Sequence, residues 1–112
     1  MSQETSQETS QEPVPVCAVA DVAPGSVIGV EIGDRHVAVY NIGGTFYATD
    51  GYCTHAMASL ADGFLDGDVI ECSMHFGAFH VPTGEVRQPP CTAALKTYPA
   101  AVKDGKVYVT LD

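Results

Sequence analysis

Two short pairs of metal-binding side chains stand out in the middle of the chain: Cys53-Thr-His55 and Cys72-Ser-Met-His75. Each pair combines a thiolate with an imidazole. Two thiolates and two imidazoles can hold a 2Fe–2S cluster in which the cysteines bind one iron and the histidines bind the other. The pattern therefore predicts that Cys53, His55, Cys72 and His75 bind one such cluster per chain.

A tetrahedral zinc site is the alternative, because two cysteines and two histidines also bind zinc. Zinc modules of this composition usually run Cys-x-x-Cys and then His-x-x-x-His, so that both ligands of a pair are alike. Here each pair is mixed, and only Thr54 separates Cys53 from His55. The spacing favours the iron–sulfur cluster, and a zinc-stabilised interaction module remains the alternative.

The other cysteines and histidines lack such a pattern. Cys17 and Cys91 have no histidine at ligand spacing, so we expect buried thiols that act as small hydrophobic side chains. His80 is predicted to be a structural or surface residue rather than a fifth ligand. An oxygenase would need a second iron held by two histidines and a carboxylate, but only His36 and His80 remain, far apart. We therefore expect an electron carrier with no catalysis of its own.

Short segments of β-forming residues, separated by glycine-rich turns, must position these pairs. The pattern predicts an all-β sandwich or open barrel, with cluster-binding loops at about 51–60 and 72–80 at one end. A short helical turn is expected around 56–60, and 87–92 is predicted to be a loop. The predicted strands cover residues 14–19, 26–32, 35–41, 45–49, 69–72, 79–81, 95–101 and 106–111.

The first residues have a different composition. Residues 1–13 repeat Ser-Gln-Glu-Thr and contain no apolar residue after Met1. Such a segment cannot bury enough surface to offset its ordering entropy, so we predict a disordered acidic tail. Residues 14–112 are predicted to form a single domain.

The overall charge restricts the possible partners. Fourteen acidic residues against five basic ones give a net charge of −9, which disfavours nucleic acid and favours partners with positively charged surfaces. No apolar run is long enough to span a bilayer, and neither a secretory nor a twin-arginine signal is visible. We expect a cytoplasmic protein that does not bind membranes.

The motifs Gly51-Tyr-Cys-Thr-His55 and His75-Phe-Gly-Ala-Phe79 resemble those of Rieske-type 2Fe–2S proteins. The resemblance extends through Leu65-Asp-Gly-Asp, Pro82-Thr-Gly84 and the segments 95–98 and 105–109. The most similar type is the small ferredoxin component of bacterial aromatic-ring-hydroxylating dioxygenase systems.

That resemblance implies the same four ligands and a one-electron carrier in aromatic hydrocarbon catabolism. Its electrons would come from an NAD(P)H-dependent flavin reductase and go to a terminal ring-hydroxylating oxygenase, and we expect the carrier to be monomeric. The small subunit of a nitrite reductase and a regulatory ferredoxin remain as alternatives within the same resemblance.

A comparison with respiratory Rieske proteins implies a low potential. Those relatives carry an additional cysteine in each cluster loop, at positions that correspond here to Ala58 and Met74. They also place hydroxyl groups near sulfur at positions that correspond to Gly77 and Phe79. Without these hydrogen bonds reduction is harder, so we expect a potential of about −150 mV, near the lower end of the Rieske range.

Overall fold

The computed structural model describes residues 12–54, 58–73, 77–89 and 93–111. They form an almost entirely β structure with two short 3-10 helices, Val19–Asp21 and Leu60–Asp62. The strands are β1 (Pro13–Ala18), β2 (Ser26–Ile32), β3 (Arg35–Ile42), β4 (Thr45–Asp50), β5 (Phe64–Asp66), β6 (Val69–Glu71), β7 (Ala78–His80), β8 (Val86–Gln88), β9 (Thr97–Tyr98), β10 (Ala100–Lys103) and β11 (Lys106–Thr110). The predicted all-β class is confirmed.

The strands form three antiparallel sheets, with the orders β1-β11-β10, β2-β3-β4-β9 and β5-β6-β7-β8. We call the first two sheets together the base. The third sheet and the loops around it, within residues 51–95, form the loop lobe. The loop lobe is inserted into the base, because it lies in the chain between β4 and β9 and these two strands pair with each other.

Strand β3 separates the two hydrophobic cores. Val37 and Val39 face the core of the base, whereas Ala38 and Tyr40 belong to the core of the loop lobe. All four side chains are fully buried. Because successive side chains of a strand point to opposite faces, one strand closes both cores and joins the base to the loop lobe.

Two of the glycine-containing turns between predicted strands form tight hairpins in the base. β2 and β3 pair from Ser26↔Asn41 to Ile32↔Arg35, so the turn lies at residues 33–34. β10 and β11 are joined by Asp104 and Gly105, both of which have positive φ angles, 54° and 78°. Two consecutive positive φ angles match the twist of a two-residue hairpin, which explains the Asp-Gly sequence there.

Some predicted elements differ from the structure. Strand β5 was not predicted, and β8 lies partly in the segment that was predicted to be a loop. The single strand predicted at 95–101 is divided into β9 and β10 at Pro99, where proline has no N–H to donate to a ladder. β1 begins at Pro13, and the predicted tail lies, up to residue 11, outside the described residues. Within the described residues, no helix is long and apolar enough to cross a membrane.

Candidate metal centre

The first predicted cluster loop is the tip of a narrow hairpin. At its base the Leu60 N–H donates to the Gly51 carbonyl at 2.7 Å, and Tyr52 forms an antiparallel bridge with Ser59. One residue further, the Cys53 N–H donates to the Ala58 carbonyl at 3.0 Å. Cys53 therefore lies at the last rung of the ladder, where the chain opens into the loop.

The second loop is built in the same way, as the tip of the β6–β7 hairpin. Glu71 pairs with Ala78, and the next residue, Cys72, donates its N–H to the Gly77 carbonyl at 2.7 Å. Each cysteine thus donates its amide to the carbonyl five residues further on, although the two sequence motifs differ in ligand spacing. The sequence did not reveal this similarity of the two loops.

Both cysteine side chains point into the core of the loop lobe. Cys53 is 4% exposed and Cys72 is 0% exposed, and they share this core with Leu60, Ile70 and Phe79. Two buried thiols from neighbouring hairpins suit the cysteine side of an iron–sulfur cluster, where water is excluded. The predicted histidine ligands, His55 and His75, lie outside the described residues, as do Met57, Met74 and Phe76.

A third segment holds the first loop from the outside. The Thr54 hydroxyl donates to the Ala93 carbonyl at 2.9 Å, and the Leu95 N–H donates to the Gly84 carbonyl at 2.8 Å. Gly84 has a φ of 79°, and a Cβ there would clash with the Leu95 carbonyl oxygen. In the sequence this glycine was noted only as part of the Pro82-Thr-Gly84 motif. The structure shows that it lets the segment after residue 92 lie close to the β7–β8 turn.

Tyr40 brings a hydroxyl into the core of the loop lobe, but this hydroxyl is already bonded. Its oxygen lies 2.9 Å from the Thr49 hydroxyl, which donates its own hydrogen to the Asp50 carbonyl at 2.8 Å. Tyr40 must therefore be the donor to Thr49. Burial raises the pKa of Tyr40 above its ordinary value, and the hydrogen bond to Thr49 opposes this shift. Tyr40 keeps its proton at neutral pH and donates it to Thr49 instead of to a sulfur.

His80 occupies the opposite end of the β6–β7 hairpin from Cys72. Its Nδ1 lies 2.8 Å from the Thr83 hydroxyl, and its Nε2 lies 3.0 Å from the Asp68 carboxylate. These bonds join the two turns that flank β6 and β7 away from the cluster loop. The interpretation of His80 as a structural residue agrees with this position.

The remaining predicted thiols are Cys17 and Cys91. Cys17 lies on β1, partly buried against the core of the base, as expected for a small hydrophobic side chain. Burial raises its pKa, and the nearby Asp21 carboxylate adds to the shift. Cys91 lies outside the described residues.

Comparison with known families agrees with this geometry. Residues 12–99 match the Rieske 2Fe-2S domain. The chain belongs to the Rieske family. A Rieske domain holds a 2Fe–2S cluster, and the two buried thiols of this chain fit the cysteine side of such a cluster.

Individual Rieske proteins are similar over most of the chain. Ferredoxin CarAc of Metapseudomonas resinovorans is 50% identical over 95 residues, 84% of this chain and 89% of the relative. The biphenyl dioxygenase ferredoxin subunit of Pseudomonas sp. (strain KKS102) is 45% identical over 94 residues, 83% of this chain and 86% of the relative.

A solved structure extends the similarity to three dimensions. It is a complex of reduced oxygenase and oxidised ferredoxin in carbazole 1,9a-dioxygenase. The matching chain has a TM-score of 0.83 at 48% identity, covering 89% of this Rieske protein and 94% of that chain.

Proposed function

We propose that this Rieske protein is the ferredoxin of an aromatic-ring-hydroxylating dioxygenase system. It takes single electrons from an NAD(P)H-dependent flavin reductase and passes them to a terminal oxygenase. The observation that carries the proposal is the 50% identity to a ferredoxin over most of both chains. Two of the matches named above are ferredoxins of dioxygenase systems, for biphenyl and for carbazole, which favours this role over a nitrite reductase subunit.

We further propose that Cys53, His55, Cys72 and His75 are the four ligands. The cysteines bind an inner iron and the histidines an outer one, and the bound cluster supplies one reversible electron transfer. The burial of both cysteines supports this order, because it places their thiols inside the core of the loop lobe. The chain's own contribution is to keep water from the thiols and to fix both hairpins.

The ligand set can be tested by alanine substitutions at three histidines. His55→Ala and His75→Ala should lose the Rieske visible spectrum and the electron paramagnetic resonance (EPR) signal of the reduced cluster. His80→Ala is the control and should keep both, because its ring is bonded at the far end of the hairpin. A His80→Ala variant that bleaches while His55→Ala stays coloured would show that the ligands are assigned wrongly.

We propose that both redox partners dock at the histidine end of the protein. The approach of a positively charged partner is favoured by the net charge of −9. Apolar residues in and beside the loops then supply the contact surface: Met57, Met74, Phe76, Pro89 and Pro90. Electron-transfer contacts of this kind are small, below about 1,200 Å², so binding should be weak and should decrease with added salt.

The remaining parts of the proposal concern the state of the protein in the cell. We infer a monomeric, cytoplasmic carrier with an acidic tail, in which the Rieske domain begins slightly earlier than residue 14, because Pro13 already belongs to β1. Support comes from the family match, which begins at residue 12, and from the ferredoxins to which the chain is similar.

Reconstitution tests the function directly. The holoprotein is mixed with a flavin reductase, NADH and a ring-hydroxylating oxygenase, and substrate hydroxylation is followed. We expect hydroxylation that requires the ferredoxin and is lost with Cys72→Ala. A colourless protein that contains zinc, or a coloured one that supports nitrite reduction and no hydroxylation, would overturn the proposal.

Docking is tested with a charge placed on the contact surface. Phe76→Asp should lower the turnover of the reconstituted system, while the visible spectrum stays unchanged. Val102→Asp is the matched control, because Val102 is 51% exposed on β10 in the base. Equal losses in the two variants, or turnover that is indifferent to ionic strength, would contradict docking at the histidine end.

A further inference from the structure

His36 lies beneath the first cluster loop, although it is seventeen positions before Cys53 in the sequence. It is on β3, on the same face as Ala38 and Tyr40, and therefore faces the loop lobe. Its side chain is 14% exposed. The sequence offered no reason to single out this residue, because it has no metal-binding neighbour at ligand spacing.

Both ring nitrogens of His36 are hydrogen bonded. Nδ1 lies 2.5 Å from the Glu31 carboxylate, and Nε2 lies 2.8 Å from the Ser59 hydroxyl. A carboxylate oxygen can only accept, so Nδ1 is the donor to Glu31. Ser59 also accepts from the Ala61 N–H at 3.3 Å, as the cap of the 3-10 helix Leu60–Asp62. The ring therefore connects β2 with the closing strand of the first loop.

The backbone on both sides leaves room for this ring. A Cβ at Gly29 would lie 2.8 Å from the ring carbon Cε1, and a Cβ at Gly51 would clash with Cδ2. Both glycines are thus needed for the ring to sit where it does. Tyr52 covers it from outside, with ring centroids 4.6 Å apart.

The backbone of His36 holds the opening strand of the same loop. The Gly51 N–H donates to the His36 carbonyl at 2.8 Å. Ring and carbonyl together therefore hold both strands of the hairpin: the carbonyl reaches Gly51 before Cys53, and the ring reaches Ser59 after it. This contact differs from ordinary core packing, because it joins the stable β2–β3 ladder to the base of one particular loop.

We propose that His36 is a positioning residue for the cluster, holding the first loop at Ser59 so that Cys53 and His55 keep a fixed distance from the second loop. The inference rests on the proposed ligand set. It assigns His36 no contact with the cluster. Its effect on the cluster is transmitted by the hairpin between Gly51 and Leu60.

Two conservative variants separate the two ring contacts. The amide of Gln can reach the position of Nε2, so His36→Gln keeps a bond to Ser59. The amide of Asn reaches only the position of Nδ1, so His36→Asn keeps Glu31 and loses Ser59. The readouts are the rate at which an iron chelator bleaches the holoprotein and the EPR line shape of the reduced cluster.

We expect His36→Asn to bleach about fivefold faster than the wild type, because the loss of one hydrogen bond of average strength changes an equilibrium constant by about that factor. The EPR signal of this variant should also be broader. His36→Gln should stay close to the wild type on both measures. The matched controls are His80→Asn and His80→Gln. The ring of His80 also makes two hydrogen bonds, but it lies at the end of the β6–β7 hairpin away from the cluster loop. Neither control should change the bleaching rate.

The inference is overturned if His36→Asn and His36→Gln bleach at the same rate, or if the His80 variants bleach as fast as His36→Asn. Should His36→Asn fail to fold, Ser59→Gly removes the same contact and is expected to give the same faster bleaching. A wild-type rate in Ser59→Gly overturns the inference. None of these results contradicts the proposed function. That function is contradicted only if the wild-type protein lacks the cluster or does not support hydroxylation.

Discussion

The base and the loop lobe are built from different lengths of regular structure. β2 and β3 in the base have seven and eight residues, whereas each of the four strands of the loop lobe has three. The core of the base is formed by hydrophobic side chains together with buried Asn41, which donates to the Val22 carbonyl, while the core of the loop lobe encloses Cys53 and Cys72. Short strands around buried thiols gain less from their own ladders, so we expect the loop lobe to depend on what its loops bind.

The largest effect should come from removing one buried thiolate. Cys72→Ala should abolish the cluster, because water cannot replace a thiolate at a buried iron. Since metal binding contributes to folding free energy, amide hydrogen exchange should then speed up in β5–β8 more than in β2–β4. Cys17→Ala is the control and should keep the visible spectrum. Equally faster exchange in the base and in the loop lobe would contradict the expectation that the loop lobe depends more on the cluster than the base does.

A cavity in either core should lower the free energy of unfolding, but only a cavity in the loop lobe should also weaken retention of the cluster. Ile70→Ala in the loop lobe should lower the free energy of unfolding by about 2–5 kcal/mol, and Phe46→Ala in the base by about 3–5 kcal/mol. Both side chains are buried, so chemical denaturation should detect both losses. Only Ile70→Ala should also speed bleaching by a chelator. Faster bleaching in Phe46→Ala would show that the two cores are coupled through β3.

A hydroxyl introduced in the loop lobe should act on the potential rather than on stability. Phe79 is fully buried in the core that holds both thiols, and Tyr40 already donates to Thr49. We expect Phe79→Tyr, alone or with Gly77→Ser, to raise the midpoint potential, because a hydrogen bond to sulfur favours the reduced state. A bond of about 1 kcal/mol corresponds to about 40 mV for one electron. Voltammetry measures the shift, and an unchanged midpoint would exclude a bond to sulfur.

The smallest effect concerns alkaline stability. The pKa of Tyr40 is raised in the folded protein, so above about pH 10 the unfolded chain loses the proton first and binds fewer protons than the native state. The contribution of Tyr40 is therefore complete below pH 10 and decreases as pH rises beyond it. Urea unfolding of wild type and Tyr40→Phe between pH 9 and 11 should show a shallower decline in the variant. An equally steep decline of unfolding free energy in both proteins would contradict a contribution from Tyr40.

The sequence predicted the base better than the loop lobe for a physical reason. β2 and β3 are rich in β-branched and other apolar residues and end at glycine turns, so local signals suffice to place them. β5 has only three residues, Phe64–Asp66, too few for a periodic pattern, and it pairs with β6 across a turn at Gly67. The break at Pro99 could have been predicted, because a proline inside a proposed strand is itself a warning.

The candidate site shows the same limit. Ligand type and spacing singled out Cys53 and Cys72, and the structure places both in one core, while their role as ligands stays a prediction. The support of the loops was not predictable, because Thr54 bonds to Ala93 and His36 bonds to Ser59 across long stretches of chain. Gly29 and Gly51 carried a usable signal, since a glycine inside a strand or beside a motif often marks a close approach of another group.

The insertion of the loop lobe between β4 and β9 also sets the order in which the chain emerges during synthesis. β1 pairs with β11, so the base cannot close until residue 110 has left the ribosome. At about 5–20 residues per second, residues 51–88 are synthesised roughly one to four seconds before residue 110. The loop lobe is therefore complete in sequence while the base still lacks its last strand, and the base closes last.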